Sequence, residues 1–232
     1  MQIGTDLVIL SSIVTISLSG AIGVYLFRLW RRQKTRLMTD LPLVFAITTF
    51  CQALQIFLLT LPNIGFIPQS LELFRIRSLI IGGSVVPVLG ALFQIWAPKI
   101  QRYHNRLVLL FLAYWVVMAL FGATEGFIMI TTIPLILMFG FVMMATFIIT
   151  WKTGRLKEVR SDLMIVSIIC GMASQILRVP LLVSGFFYVP DILLMLSMVF
   201  TVVAFGNPWY RKDIKTKEAN VSPSEIAIAM DH

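Results

Sequence analysis

Charge is what this sequence has least of: 13% of its 232 residues are Asp, Glu, Lys or Arg, against roughly a quarter in an average soluble domain. A water-soluble chain of this length needs a polar shell, and these residues cannot make one. Cysteine is scarce too. Cys51 and Cys170 both sit in apolar runs, form no CxxC pair and outline no disulfide framework. The two histidines are His104, expected in a connector, and His232 at the last position. No apolar run therefore carries an imidazole to hold haem or a metal ion inside a bundle. No Asp or Glu lies deep in a run, which removes the carboxylate relay of a proton- or sodium-coupled pump. Ser–His–Asp, Cys–His, HExxH, P-loop and glycine-rich phosphate motifs are also missing. The expectation is a non-enzymatic protein with no catalytic residues, no cofactor and no metal.

What is there is apolar: 58% of residues are hydrophobic, and the mean hydropathy is +0.90. Crossing a hydrocarbon core takes about 20 apolar residues as a helix. Seven such runs stand out, at Leu7–Phe27, Leu41–Leu61, Ser78–Ala97, Leu107–Gly122, Phe127–Thr150, Leu163–Val183 and Ile192–Phe205. Lipid gives a bare backbone no hydrogen-bond partner, so each crossing must be a helix or part of a closed barrel. These runs are too long and too uniformly apolar for barrel strands. The expected fold class is an all-α integral membrane protein, a seven-transmembrane-helix bundle over residues 1–210 with a short cytoplasmic tail over 211–232.

The net charge of +8 raises the question of nucleic acid, and the placement of the basic residues answers it. Arg28, Arg31, Arg32, Lys34 and Arg36 follow the first run, and Lys99, Arg102 and Arg106 follow the third. Lys152, Arg155, Lys157 and Arg160 follow the fifth, and Arg211, Lys212, Lys215 and Lys217 follow the seventh. Only Arg75 and Arg77 belong to the opposite side, and Arg178 lies within the sixth run. Short basic clusters on alternate connectors orient membrane proteins and mark the cytoplasmic side. The partner is the lipid bilayer, not nucleic acid. The N-terminus is expected outside the cell and the C-terminus in the cytoplasm of a multi-pass cell-membrane protein. Trp30, Trp96, Trp151 and Trp209, all at the basic ends of runs, fit interfacial anchoring. Residues 1–6 carry Asp6 and no basic residue, so the first run reads as a retained anchor, not a cleaved signal. The tail is too short to be an output domain. Any signal would pass to a separate cytoplasmic or membrane partner protein.

Sliding the chain by 120 residues lays the first run on the fifth and the second on the sixth without a gap. Identities then fall at Ile13/Ile133, Ile16/Ile136, Gly20/Gly140, Phe27/Phe147 and Leu43/Leu163. Ala53/Ala173, Gln55/Gln175, Ile56/Ile176, Leu61/Leu181, Gly65/Gly185 and Phe66/Phe186 follow. The layout this implies is a three-plus-one-plus-three pseudo-repeat, as in transporters built from parallel halves. On these features the chain resembles SWEET-type sugar carriers and microbial rhodopsins in layout. The stretch Asp191–Gly206 is distantly similar to a rhodopsin seventh helix. Retinal linkage in that family needs a helix-7 lysine, and Ile192–Phe205 has none. Pro134 has no counterpart at Val14, and Pro68-Gln69 falls in a connector, both departures from the SWEET pattern.

An ionisable residue within a span faces the bundle interior or water by default. Arg178 is the clear case. Ser167, Gly171, Ser174 and Arg178 share one face of the sixth run, with Gln175 beside them, and such a face packs on neighbours. Thr48, Gln52 and Gln55 align on the second run, and Arg77, Ser84, Pro87, Ala91 and Gln94 on the third. Together they outline an outward-opening polar pocket whose ligand-binding candidates are Arg178, Gln175, Gln55, Gln52, Arg77 and Asp191, with Glu72 and Glu125 at its rim. The competing structural readings are snorkelling of Arg178 to the interface or its pairing with Asp191. For the glutamines the competing reading is interhelical glue. Gly82, Gly83 and Gly90 with Pro87 suit close packing and a kink. Three functions remain open: a receptor-like or accessory protein binding a small molecule or a partner helix, a facilitative small-solute carrier, and a structural subunit of a membrane complex.

Overall fold

The structure, a computed structural model, describes residues 2–33, 37, 39–154, 159–181 and 188–207, with side chains except at 2–8, 63 and 178–181. Seven α-helices form it: α1 (Gln2–Arg31), α2 (Leu41–Asn63), α3 (Leu71–Trp96), α4 (Gln101–Phe121), α5 (Glu125–Thr153), α6 (Ser161–Leu181) and α7 (Val189–Gly206). A 3₁₀ turn, Pro98–Ile100, precedes α4. Among the described residues there is no strand.

Local chemistry sets the ends. Ser70 accepts from the Leu73 N–H at 3.3 Å and Thr124 from the Phe127 N–H at 3.2 Å, capping α3 and α5. Glu72 and Glu125 occupy the first turns of these helices, where a carboxylate complements the helix dipole. Both are exposed, so capping accounts for them without a pocket. Gly154 closes α5 in the left-handed region at φ 62°, a conformation that suits glycine.

Helices α3 and α4 both start well before the apolar runs that announced them. The Arg75 and Arg77 side was expected as connector, yet both arginines lie within α3. Likewise Arg102, His104 and Arg106, expected in a connector, belong to α4. Arginine is a good helix former, so a helix continues past the point where hydropathy drops. His104 is buried. Its Nε2 donates to the Ala97 carbonyl oxygen at 2.8 Å, and its ring stacks on Phe93 at 5.7 Å. The imidazole thus caps the carbonyl end of α3. Residues 211–232, the expected tail, lie outside the described residues.

Successive helices run antiparallel. At one end Ser11 of α1 meets Asp191 of α7, and Arg75 of α3 donates to the Gly122 carbonyl after α4 at 3.0 Å. At the other end Trp96 of α3 donates to Thr146 of α5 at 2.8 Å, and the Arg160 N–H reaches the Ala204 carbonyl of α7 at 3.0 Å. Each helix packs on its chain neighbours, α7 returns to α1, and α3 also touches α5. Helix α4 stands outside this ring, on α3 and more lightly on α5. The two contacts that join the halves, α1 on α7 and α3 on α5, exchange when α1 is laid on α5 by the 120-residue shift and α3 on α7 with two residues more, Pro68 meeting Pro190.

The interior is filled by Leu26, Ala46, Ile56, Trp115, Phe147, Met164 and Met198, all nearly inaccessible. The exterior is apolar as well. Phe121 (79% exposed), Ile130 (76%) and Leu110 (68%) are extreme cases among many large hydrophobics facing outward. Soluble monomers do not carry apolar surface on that scale. Six helices are long and apolar enough to cross a membrane; the described side chains of α6, Ser161–Leu177, make a shorter apolar helix.

Close approach of α3 and α4 depends on one missing side chain. A Cβ at Gly82 would overlap the Trp115 indole, whose Nε1 donates to the Ser78 carbonyl at 2.8 Å. At Gly83 a Cβ would meet Cys51 Sγ at an ordinary 3.6 Å. Gly82→Ala should therefore destabilise the folded protein in detergent by about 1–3 kcal/mol through overpacking. Gly83→Ala should leave the thermal unfolding midpoint unchanged or raise it, and equal losses for the two variants would contradict this packing.

Candidate functional site

A hydroxyl on an apolar helix can bond back to its own preceding turn or reach a neighbouring helix. Thr15, Ser19, Thr60, Thr132 and Thr146 take the first course, each donating to the carbonyl four residues earlier at 2.6–2.8 Å. Ser167 and Ser197, on α6 and α7, take the second, joined by Thr201, which also donates back to the Ser197 carbonyl at 3.0 Å. Ser167 lies 2.7 Å from Thr201 Oγ1 and 3.1 Å from Ser197 Oγ, and it donates to the Ser197 carbonyl at 2.7 Å. Gly171 permits this, because a Cβ there would stand only 3.2 Å from Ser197 Oγ. One turn further, Ser174 donates to the Pro190 carbonyl at 2.7 Å. The small-residue face of α6 is thus packed against α7.

This cluster lines a cavity of about 110 Å³ between α2, α6 and α7. Phe45, Thr48, Thr49 and Gln52 form the α2 wall, Ser167 and Ile168 the α6 wall, and Leu194, Ser197, Met198 and Thr201 the α7 wall. Thr48 lies about 10 Å along α2 from Leu41, and Thr201 about 8 Å from the end of α7, at 1.5 Å per residue. The cavity therefore sits between mid-bundle and the basic end. Among the described residues its lining holds no charged side chain. Thr48 and Thr49 bond back to their own helix, donating to Val44 at 2.9 Å and Phe45 at 3.0 Å, and Thr48 also reaches the Ser84 carbonyl of α3 at 3.4 Å. Gln52 is different: its Nε2 is buried and has no hydrogen-bond partner among the described residues. Leaving such a donor unmet costs about 1–3 kcal/mol. A second concavity, about 410 Å³ at Ile95–Ile100, is a surface fold beside the turn between α3 and α4.

Of the five sequence candidates whose side chains are described, Gln52 alone lines the cavity. Gln55, one turn on, is buried in α2 outside the lining. Gln175 is half-buried next to Ser174 on α6. Arg77 lies in α3 with its guanidinium 5.8 Å from the Phe74 ring centre. Asp191 is buried at the start of α7 and accepts a hydrogen bond from Ser11 Oγ at 3.0 Å, joining the last helix to the first. Position 178 is helical, and the Arg178 side chain lies outside the described residues. Arg77 and Asp191 stand at the end of the bundle away from the cavity. Ser197 and Thr201 were not singled out from the sequence. Their i, i+4 spacing in an otherwise apolar run, facing Ser167 across the short hairpin, is the signal that points to them. Among the described residues no group of His, Cys, Asp and Glu is placed to hold a metal ion.

No family model, curated protein or solved structure matches this chain.

The orphaned amide sets a test. Gln52→Leu should stabilise the ligand-free protein by about 1 kcal/mol, because it removes an unmet buried donor while keeping volume. Ser167→Ala should destabilise it by a similar amount, because it removes the bridge from α6 to Ser197 and Thr201. Thermal unfolding of both variants in detergent checks the pair; a destabilised Gln52→Leu would mean the amide is satisfied.

Proposed function

We propose that this protein is a non-enzymatic, seven-span membrane protein of receptor-like or accessory type. It binds a small, neutral, hydrogen-bonding molecule between α2, α6 and α7. The single observation that carries this reading is the buried Gln52 amide, an unmet donor at the edge of a cavity that otherwise offers hydroxyls. A ligand bringing an acceptor to Gln52 relieves that cost. The absence of lining charge favours a neutral occupant, since a buried ion would be uncompensated. The volume admits about three or four water molecules or one solute of that size. In this reading the basic connectors face the cytoplasm, by the charge asymmetry of the loops.

A facilitative carrier is the second reading, and the contact pattern favours it specifically. Thr48 and Ile168, equivalent under the 120-residue shift, both line the cavity, so α2 and α6 approach it from corresponding positions. A site between pseudo-repeats is where carriers of this architecture bind.

Purified protein screened by thermal unfolding against small alcohols, amides and ureas separates these readings. Binding should give a stabilisation that grows with the logarithm of ligand concentration and reaches about 2.7 kcal/mol at a hundred times Kd. It should vanish in Gln52→Leu and be accompanied by no flux in proteoliposomes. Uptake of the same compound, lost in Gln52→Leu, would establish the carrier instead. Equal responses of wild type and variant would remove the cavity from the account.

A further inference from the structure

We infer that the outward face of α4 is a binding site for an anionic phospholipid of the leaflet at the basic end. Helix α4 is the peripheral helix of the bundle, and its buried side is confined to His104, Trp115 and Ala119. The opposite side is patterned lengthwise. Lys99, in the 3₁₀ turn just ahead of the helix, and Arg102 and Arg106, one turn apart on α4, make a short cationic row at the basic end, and all three are exposed. The same stripe continues through Leu109, Ala113, Val117 and Leu120, also exposed and entirely apolar. Ala113, with a single methyl, lowers the middle of the track between larger neighbours.

Charge and dimensions select the occupant. No Asp or Glu occurs anywhere between Glu72 and Glu125, and among the described residues none of the three cations forms an ion pair. A phosphodiester monoanion complements the row. From Arg106 to Leu120 the apolar track runs about 21 Å, enough for the roughly 15 Å of acyl chain in one leaflet. The head of the track is furnished as well. Trp96, half exposed, is held by its bond to Thr146 and borders the concavity at Ile95–Ile100 together with Lys99. Tyr103, in the first turn of α4, is exposed as well. Aromatic rings at this depth suit the headgroup region. The inference rests on the bundle crossing a bilayer, and does not involve the Gln52 cavity.

Native mass spectrometry of protein extracted from membranes, delipidated and offered phosphatidylglycerol or phosphatidylcholine with identical acyl chains tests it. The wild type should retain phosphatidylglycerol preferentially. The triple variant Lys99→Gln/Arg102→Gln/Arg106→Gln should lose that preference by about a hundredfold, at roughly fivefold per basic residue. Arg102→Lys/Arg106→Lys, which keeps the charge, should retain it and guards against misfolding. Arg28→Gln/Arg31→Gln/Arg32→Gln, an equal charge loss on another connector, should retain it too. An equal loss in that control, or equal retention of the two lipids by wild type, overturns the site. A lipid-free dimer dispersed by the triple variant would assign the face to a second copy and also overturn it. Failure of the protein to fractionate with membranes is a separate result, and it would remove the membrane reading itself.

Discussion

A chain with this little charge must satisfy its polar groups from within, and that constraint organises the molecule. Helices meet it for the backbone. Hydroxyls meet it twice over, by bonding back to the preceding turn, as Thr15, Ser19, Thr60 and Thr132 do, or by bridging helices, as Ser167 does to Ser197 and Thr201. Each bridge also locates a packing contact. Ser11 on Asp191 closes α1 onto α7, Trp115 on Ser78 seats α4 on α3, and Trp96 on Thr146 ties α3 to α5. At one of the places where the rule lapses, the Gln52 amide, the bundle also has a cavity. Coincidence of an unmet donor with space and surrounding hydroxyls is what distinguishes this position from the other glutamines.

The helices were legible because apolar runs of crossing length have few alternative folds. Their ends were not. Arg75, Arg77, Arg102 and Arg106 lower hydropathy without ending a helix, so the connectors were drawn too long. His104 was misplaced for the same reason, and its capping of the Ala97 carbonyl appears only when α3 and α4 are seen to turn sharply. At the site, Gln52 could be read from its alignment with Thr48 on α2. The α7 wall could not be, because Ser197 and Thr201 are diluted in an apolar run, and their meaning depends on which α6 residues face them. Charged residues drew attention toward Arg77 and Asp191, whose contacts are with Phe74 and Ser11 at the far end.

The halves of the chain relate to each other through contacts that exchange under the internal shift, α1 with α7 and α3 with α5. Helix α4 has no counterpart in that scheme, and its buried side is confined to His104, Trp115 and Ala119. Its position explains why it can carry a long outward face with cations at one end and methyl and isobutyl groups along the rest. Interior and exterior of the bundle thus present two different chemistries, a buried amide among hydroxyls at Gln52 and cations above exposed apolar side chains along α4.

Both chemistries presuppose that the outward hydrophobic side chains meet lipid and that alternate connectors lie on opposite faces. The most direct measurement is labelling of single cysteines by a membrane-impermeant thiol reagent in intact cells, with Cys51 and Cys170 replaced by alanine. Gln69→Cys, between α2 and α3, should react in intact cells, whereas Lys99→Cys, between α3 and α4, should react only after permeabilisation. Reaction of both from outside, or of neither, would contradict the account, because α3 would then not cross the bilayer between them.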